Sequence, residues 1–126
     1  MKCSQGRVLC EISIGVLWTL LAAPVIGQDG AAGKQLFAQC SVCHSTDSTN
    51  GVGPSLQGIV GRKAGTSAGF RYSRAMKAAN ITWDDKQLDD YLTDPQKVVP
   101  GNVMPFSGLA DATQRADVIA YLKTLE

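Results

Sequence analysis

The sequence predicts an all-α domain in which the first and last helices cross and the stretch between them wraps around a bound group. Three observations carry this expectation. Apolar residues recur at helical spacing as Leu88, Tyr91 and Leu92, and again as Val118, Tyr121, Leu122 and Leu125. Residues 54–82 show little helical periodicity and are punctuated by Gly58, Gly61, Gly65 and Gly69; irregular stretches of that length are rare in compact domains unless they serve a function. Ahead of them stands Cys40-Ser41-Val42-Cys43-His44, which contains the chain's single histidine.

The N-terminus is not read as part of the domain. Lys2 and Arg7 precede an apolar run, 8–26, broken mainly by Glu11 and Ser13, and a polar stretch begins at Gln28. A basic start, an apolar middle and small residues before a polar stretch describe a secretory signal peptide. Residues 1–27 are assigned to it, with cleavage after Gly27; cleavage after Ala23 is the other option. The rival reading is an uncleaved anchor, because 8–26 is nearly long enough to span a bilayer, although Glu11 argues against it. Cys10 starts the apolar run instead of following it, so it is a poor lipoprotein acylation site. Cys3 and Cys10 leave with the signal.

The remaining domain, 28–126, has room for one small core, so an enclosed prosthetic group would be much of that core. Of the chain's 12 basic and 11 acidic residues, 10 of each lie in it, which gives no formal net charge. No basic stripe marks a nucleic-acid partner.

Asp29 caps a first helix that runs to Gln39, with Leu36 and Phe37 on one side beside Gly33. The polar, glycine-bearing segment 45–53 is a loop. Residues 75–80 allow one helical turn. Thr82-Trp83-Asp84-Asp85 resembles a capping box with Asp in place of Glu, and the helix it opens runs to Thr93. Asp94-Pro95 stops that helix, because the residue before a proline disfavours the helical region. Residues 98–101 form a turn, and 102–109 an apolar loop containing Met104. Asp111 or Thr113 caps a last helix that runs to Leu125. Gly33 has no side chain, so this helix, through Val118 and Tyr121, can approach it closely and tie the chain ends together.

The C-x-x-C-H run is the signature of covalent haem attachment. Two thiols at this spacing can each form a thioether with one vinyl group of the same haem, and the following His44 can supply an axial ligand to the iron. Two other readings use the same residues. A structural zinc wants four N or S ligands, and only Cys40, Cys43 and His44 remain in the domain. A thioredoxin-like dithiol needs a βαβ context, which the flanking sequence lacks.

With these features in order, 28–126 resembles a class I c-type cytochrome, similar to mitochondrial cytochrome c and its secreted bacterial counterparts. The resemblance rests on Cys40-Ser41-Val42-Cys43-His44, Gly53-Pro54-Ser55-Leu56, Gly61-Arg62-Lys63, Ile81-Thr82-Trp83, Pro100-Gly101-Asn102-Val103-Met104 and Ile119-Ala120-Tyr121-Leu122-Lys123. It implies the cytochrome c fold, one haem c and its iron, and Met104 as second axial ligand. The setting of Met104 agrees: Met1 leaves with the signal, and Met76 lacks the Pro-Gly turn and reads as core filler. The resemblance also implies that the Pro54 carbonyl accepts the His44 ring proton. Tyr91 would sit near the Met104 sulfur. Tyr72, Trp83, Arg62 and Asn102 would reach the haem propionates, and Phe106 would lie beside the exposed haem edge. Gly33, Phe37, Val118 and Tyr121 match the helix-crossing positions.

Two departures stand out. Met76 occupies the place of a pocket asparagine, which alters the pocket's hydrogen bonding. Where the mitochondrial protein has lysines around its haem edge, this chain has Gln35, Gln39, Gln96, Val103 and Ala110, with Lys63 and Lys97 retained. Charge steering would be weaker, toward a partner that is less acidic or that docks through an apolar patch.

The function implied is a periplasmic, monomeric, mono-haem electron carrier and not an enzyme. Its partners would be redox proteins: a donor such as a quinol–cytochrome c reductase, and an acceptor such as an oxidase or a photosynthetic reaction centre. Two alternatives remain at this point. One is a peroxidase-like haem enzyme or gas sensor with a labile Met ligand, although no second histidine offers a distal acid or base. The other is the same carrier tethered by its N-terminus.

Overall fold

Asp29 begins the architecture and also closes it. Its carboxylate accepts from the Ala31 N–H at 2.8 Å and caps α1 (Gly30–Leu36), while its own N–H donates to Asp117 Oδ1 on the last helix at 2.8 Å. The computed structural model describes residues 28–126, so the expected leader 1–27, its cleavage site, Cys3 and Cys10 lie outside the described residues. α1 tightens into a 3-10 turn, Phe37–Gln39. The turn continues through the C-x-x-C-H run, where the His44 N–H donates to the Cys40 carbonyl at 3.0 Å.

After a long irregular stretch comes α2 (Arg74–Ala78), capped by the Ser73 hydroxyl, which accepts from the Met76 N–H at 3.1 Å. It starts one residue ahead of the expected turn because Ser73 supplies the cap. α3 (Asp85–Thr93) corrects the expected capping box. Asp84 is the cap and accepts from the Gln87 N–H at 2.7 Å. Thr82 is committed elsewhere, in an isolated antiparallel bridge with Lys63, the one such pairing among the described residues.

Asp94 ends α3 and immediately caps α4 (Pro95–Val98), with Pro95 at the first helical position. From sequence, Pro95 reads as a helix breaker, but Asp-Pro is also a helix start, since proline's missing N–H costs nothing there. Asp111, not Thr113, caps α5 (Ala112–Leu122). That helix ends short of Leu125 because its last turn tightens: the Thr124 and Leu125 N–H groups donate to the carbonyls three residues back, Tyr121 at 2.9 Å and Leu122 at 3.1 Å.

α1 crosses α5 at Gly33. A Cβ built there would lie 1.9 Å from the Asp117 carbonyl oxygen and 2.9 Å from Tyr121 Cβ, so only glycine permits the approach. Beside the crossing, the Phe37 and Tyr121 rings pack with centroids 5.1 Å apart. The core continues through Ile59, Trp83, Leu88, Tyr91, Val99, Val118, Ile119 and Leu122. α3 is pinned to α5 by the buried Arg115, whose Nε donates to Asp89 at 2.7 Å and whose Nη1 donates to the Leu109 and Ala110 carbonyls. A buried guanidinium is tolerable only when its donors are matched in this way. No helix of the described residues is long and apolar enough to cross a membrane.

Candidate functional site

The elements above are the walls of one cavity of about 280 Å³. The C-x-x-C-H turn contributes Cys40, Cys43 and His44; α2 and the loop before it contribute Tyr72 and Met76. α3 contributes Leu88, Tyr91 and Leu92; the loop after α4 contributes Asn102, Val103, Met104 and Phe106; α5 contributes Val118 and Leu122. The lining is overwhelmingly apolar, so its few polar groups define what the cavity can hold.

His44 Nδ1 donates to the Pro54 carbonyl at 2.7 Å. A carbonyl has no proton to give, so the ring proton sits on Nδ1 and Nε2 keeps a free lone pair. Gly53 makes this contact possible: a Cβ there would fall 2.6 Å from His44 Cε1 and 2.7 Å from Nδ1. The sequence reading noted Gly53-Pro54 as a motif but not that glycine is required against the imidazole. The segment is fixed by the Gly53 N–H, which donates to the Cys43 carbonyl at 2.8 Å.

Cys40 and Cys43 are both free thiols, half-buried in the same wall. Burial pushes the Cys40 thiol up, which favours its neutral form. Among the described residues no three His, Cys, Asp or Glu side chains gather into a metal-ion site, and no βαβ unit surrounds the thiols. The zinc and dithiol readings therefore gain no support.

Met104 is half-buried in the wall, and its N–H donates to Asn102 Oδ1 at 2.9 Å. This corrects the expected role of Asn102. Its amide nitrogen spends its hydrogens on the Pro95 and Val99 carbonyls, at 2.9 and 3.0 Å, leaving none for a carboxylate. Asn102 instead clamps the Met104 loop onto α4, and Gln96 reinforces it by donating to the Asn102 carbonyl at 2.9 Å. The sequence offered a signal, since an asparagine just after a Pro-Gly turn is well placed to bond back to it.

Arg62 is the cavity's informative cation. Nη1 donates to the Gln57 carbonyl at 2.9 Å and Nη2 to the Ser55 carbonyl at 2.7 Å, while the buried Nε has no partner in the protein. An orphaned, buried, charged donor in a cavity wall calls for an anionic acceptor. Tyr72 lies in the same wall; its oxygen accepts from the Ser67 N–H at 3.2 Å, which leaves its proton available. Trp83 is buried and lines the cavity too, in edge contact with the Tyr91 ring. Burial pushes the Tyr91 hydroxyl up to about 12, so it remains a neutral donor at physiological pH.

At the cavity's lining Val52 and Val103 are about 80% and 79% exposed, with the half-buried Phe106 between solvent and interior. These residues mark its mouth. A flat apolar group with acidic substituents, joined to two thiols and bound by an imidazole, fits this lining, and haem is such a group. The structure brings all the predicted site residues to one cavity, where the Asn102 amide is already engaged by protein carbonyls.

Comparison with known proteins agrees. A family model described as Cytochrome c matches residues 30–126. Cytochrome c2 of Rhodomicrobium vannielii is 44% identical over 118 residues, covering 92% of this chain and 93% of that protein. Cytochrome c2 iso-2 of Magnetospirillum fulvum is 52% identical over 90 residues, covering 71% of this chain and 94% of its own. Among solved structures, cytochrome cH from Methylobacterium extorquens superimposes with a TM-score of 0.74 at 48% identity, covering 76% of this chain and 98% of that one.

Proposed function

The chain belongs to the cytochrome c family, and from that premise we propose that it works in the periplasm as a monomer, carrying single electrons between membrane-bound redox complexes. It is a mono-haem electron carrier, not an enzyme, and its haem c is covalently attached. Its partners are redox proteins; a quinol–cytochrome c reductase suits the donor role, and an oxidase or photosynthetic reaction centre suits the acceptor role. The cleaved leader at 1–27 would deliver it there.

Haem c supplies one iron centre that exchanges a single electron between the ferrous and ferric states. The chain's residues hold and tune it. Cys40 and Cys43 would hold it through thioethers, and His44 Nε2 and the Met104 sulfur would be the groups that bind its iron. The Pro54 carbonyl keeps the imidazole in one tautomer and orientation, and such outer partners set ligand basicity. Asn102 fixes the Met104 loop, so little has to rearrange when the charge changes. Tyr91, which lines the same cavity as Met104, would turn its hydroxyl toward the Met104 sulfur. Arg62 Nε, with Tyr72 and Trp83, would receive the propionates, and Phe106 with Val52 and Val103 would frame the edge through which electrons pass.

The carrying observation is the His44–Pro54 bond, which leaves a lone pair on Nε2 beside two reduced cysteines. The test is carbon monoxide added to the dithionite-reduced protein near neutral pH. An unchanged optical spectrum is expected, because Met104 closes the sixth position. A rapid shift to a carbonyl spectrum would instead favour the peroxidase-like or sensor reading.

Arg62 gives a second check. Arg62→Ala removes a buried cation that favours the ferrous state by compensating negative charge. The midpoint potential should fall by about 40 mV, corresponding to roughly 1 kcal/mol for a one-electron couple. Spectroelectrochemical titration measures it, and no change would separate Arg62 from the propionates.

A further inference from the structure

We propose that Lys63, Arg71, Arg74 and Lys77 form a docking face for an acidic patch on a protein redox partner, set apart from the apolar mouth at Val52, Val103 and Phe106. The proposal rests on the carrier reading and adds a partner chemistry to it. Its origin is a segregation of charge along the chain. Residues 48–83 contain no Asp or Glu and five cations: Arg62 and the four named above. Residues 84–94 contain five aspartates and one lysine. The domain is formally neutral, yet one segment of its surface is not.

The fold gathers the four outward cations. Gly65 lies against α2, where a Cβ would stand 3.0 Å from Lys77 Cα, so the turn after Lys63 packs beside Lys77. Arg74 and Lys77 are three residues apart on α2 and share a face. Arg71 lies just ahead of that helix, next to Tyr72, whose oxygen is bonded to Ser67. All four residues are exposed. The ion pairs among the described residues are Lys86–Asp90, Arg115–Asp89 and Lys123–Asp85, and none uses these cations. The carboxylates nearest along the chain are engaged locally: Asp47 accepts from Thr49, and Asp84 caps α3.

The same segment is thin. Phe70, Tyr72, Ser73 and Met76 line the haem cavity from within, while Arg71, Arg74 and Lys77 point to solvent between them. An anionic surface seated outside is therefore one layer of side chains from the bound group. The side chains that mark the mouth itself, Val52, Val103 and Phe106, are uncharged. A protein fits this face better than a lipid surface. The large hydrophobic side chains that stand exposed are Val42, Val52, Val60 and Val103, all outside 63–77, so nothing there would insert between lipids. Complementary local charge raises the encounter rate and orients the partner without requiring net charge.

The test uses the haem-loaded protein and two probes. Poly-L-glutamate titrated into the ¹⁵N-labelled ferrous protein at low ionic strength should shift amides of 63–77 more than those of 42, 52 and 103–106, and salt should abolish the effect. Oxidation by hexacyanoferrate(III) should slow as ionic strength rises. In Arg74→Glu/Lys77→Glu it should be slower at low salt by up to about tenfold and equal to wild type at high salt. An unchanged visible spectrum in the variant shows that the fold is intact. Shifts centred on the mouth, or a rate independent of ionic strength and of the charge swap, overturn the proposal while leaving the carrier reading in place. No oxidation by the probe at all would overturn both. Charge-swap-sensitive binding to phosphatidylglycerol vesicles without a response to poly-L-glutamate assigns the face to a membrane and overturns a protein partner.

Discussion

Met104→Ala is expected to lower the midpoint potential by on the order of 0.2 V, about a quarter of the range that axial ligation spans, and to let carbon monoxide bind the ferrous protein. A thioether is a soft ligand that favours ferrous iron, so replacing it with water or an external ligand removes that preference. The loop should survive the change. Its anchors are Asn102, bonded to the Pro95 and Val99 carbonyls, and the Met104 backbone N–H, which alanine retains. The effect therefore reports ligation and not collapse. Met76 provides the control, because it lines the same cavity. Met76→Leu conserves volume, so the sixth position should stay closed to carbon monoxide. An unchanged potential in Met104→Ala, or a carbonyl spectrum in Met76→Leu, would reverse the assignment of the two methionines.

Gly33→Ala should be the most damaging single-methyl change in the helical frame. The added Cβ meets the Asp117 carbonyl oxygen at 1.9 Å, and that atom belongs to the backbone of α5 and cannot rotate away. The helices have to separate, loosening the Phe37–Tyr121 contact and the Asp29–Asp117 bond with it. A cost of about 3 kcal/mol follows from overpacking of this kind, or a fall of about 15 °C in melting temperature for a domain of this size. Gly30→Ala is the matched comparison, since its Cβ would meet nothing nearer than the Ala120 carbonyl oxygen at 4.0 Å. There the alanine should be neutral or stabilising by about 0.5 kcal/mol. Thermal unfolding followed by circular dichroism separates the two, and equal effects would remove the close-approach argument.

Much of this arrangement was legible from the residues, and the reasons are physical. Asp29 stands directly before an amphipathic run, and Asp111 or Thr113 before another, so capping places the starts of α1 and α5 to within two residues without tertiary information. The C-x-x-C-H run carries its chemistry in its spacing. What escaped were positions where two local rules compete. Thr82 and Asp84 can both cap a helix, and the choice went to Asp84 because Thr82 is held by its bridge to Lys63. Pro95 can end one helix or begin another, and Asp94 makes it do both. The Asn102 side chain can donate to a propionate, but its hydrogens are claimed by carbonyls seven and three residues earlier in the chain. Such competition is decided by geometry around the cavity, which one-dimensional spacing does not contain.

The bond between Asp29 and Asp117 joins residues 88 positions apart. Nearly the whole domain must therefore exist before its first helix has a partner, and this is the long-range kind of contact that slows folding. A chain synthesised from its N-terminus exposes Cys40, Cys43 and His44 long before α5 is complete. The order of synthesis thus leaves an interval in which the attachment residues are accessible and the clasp that will enclose them has not yet been made.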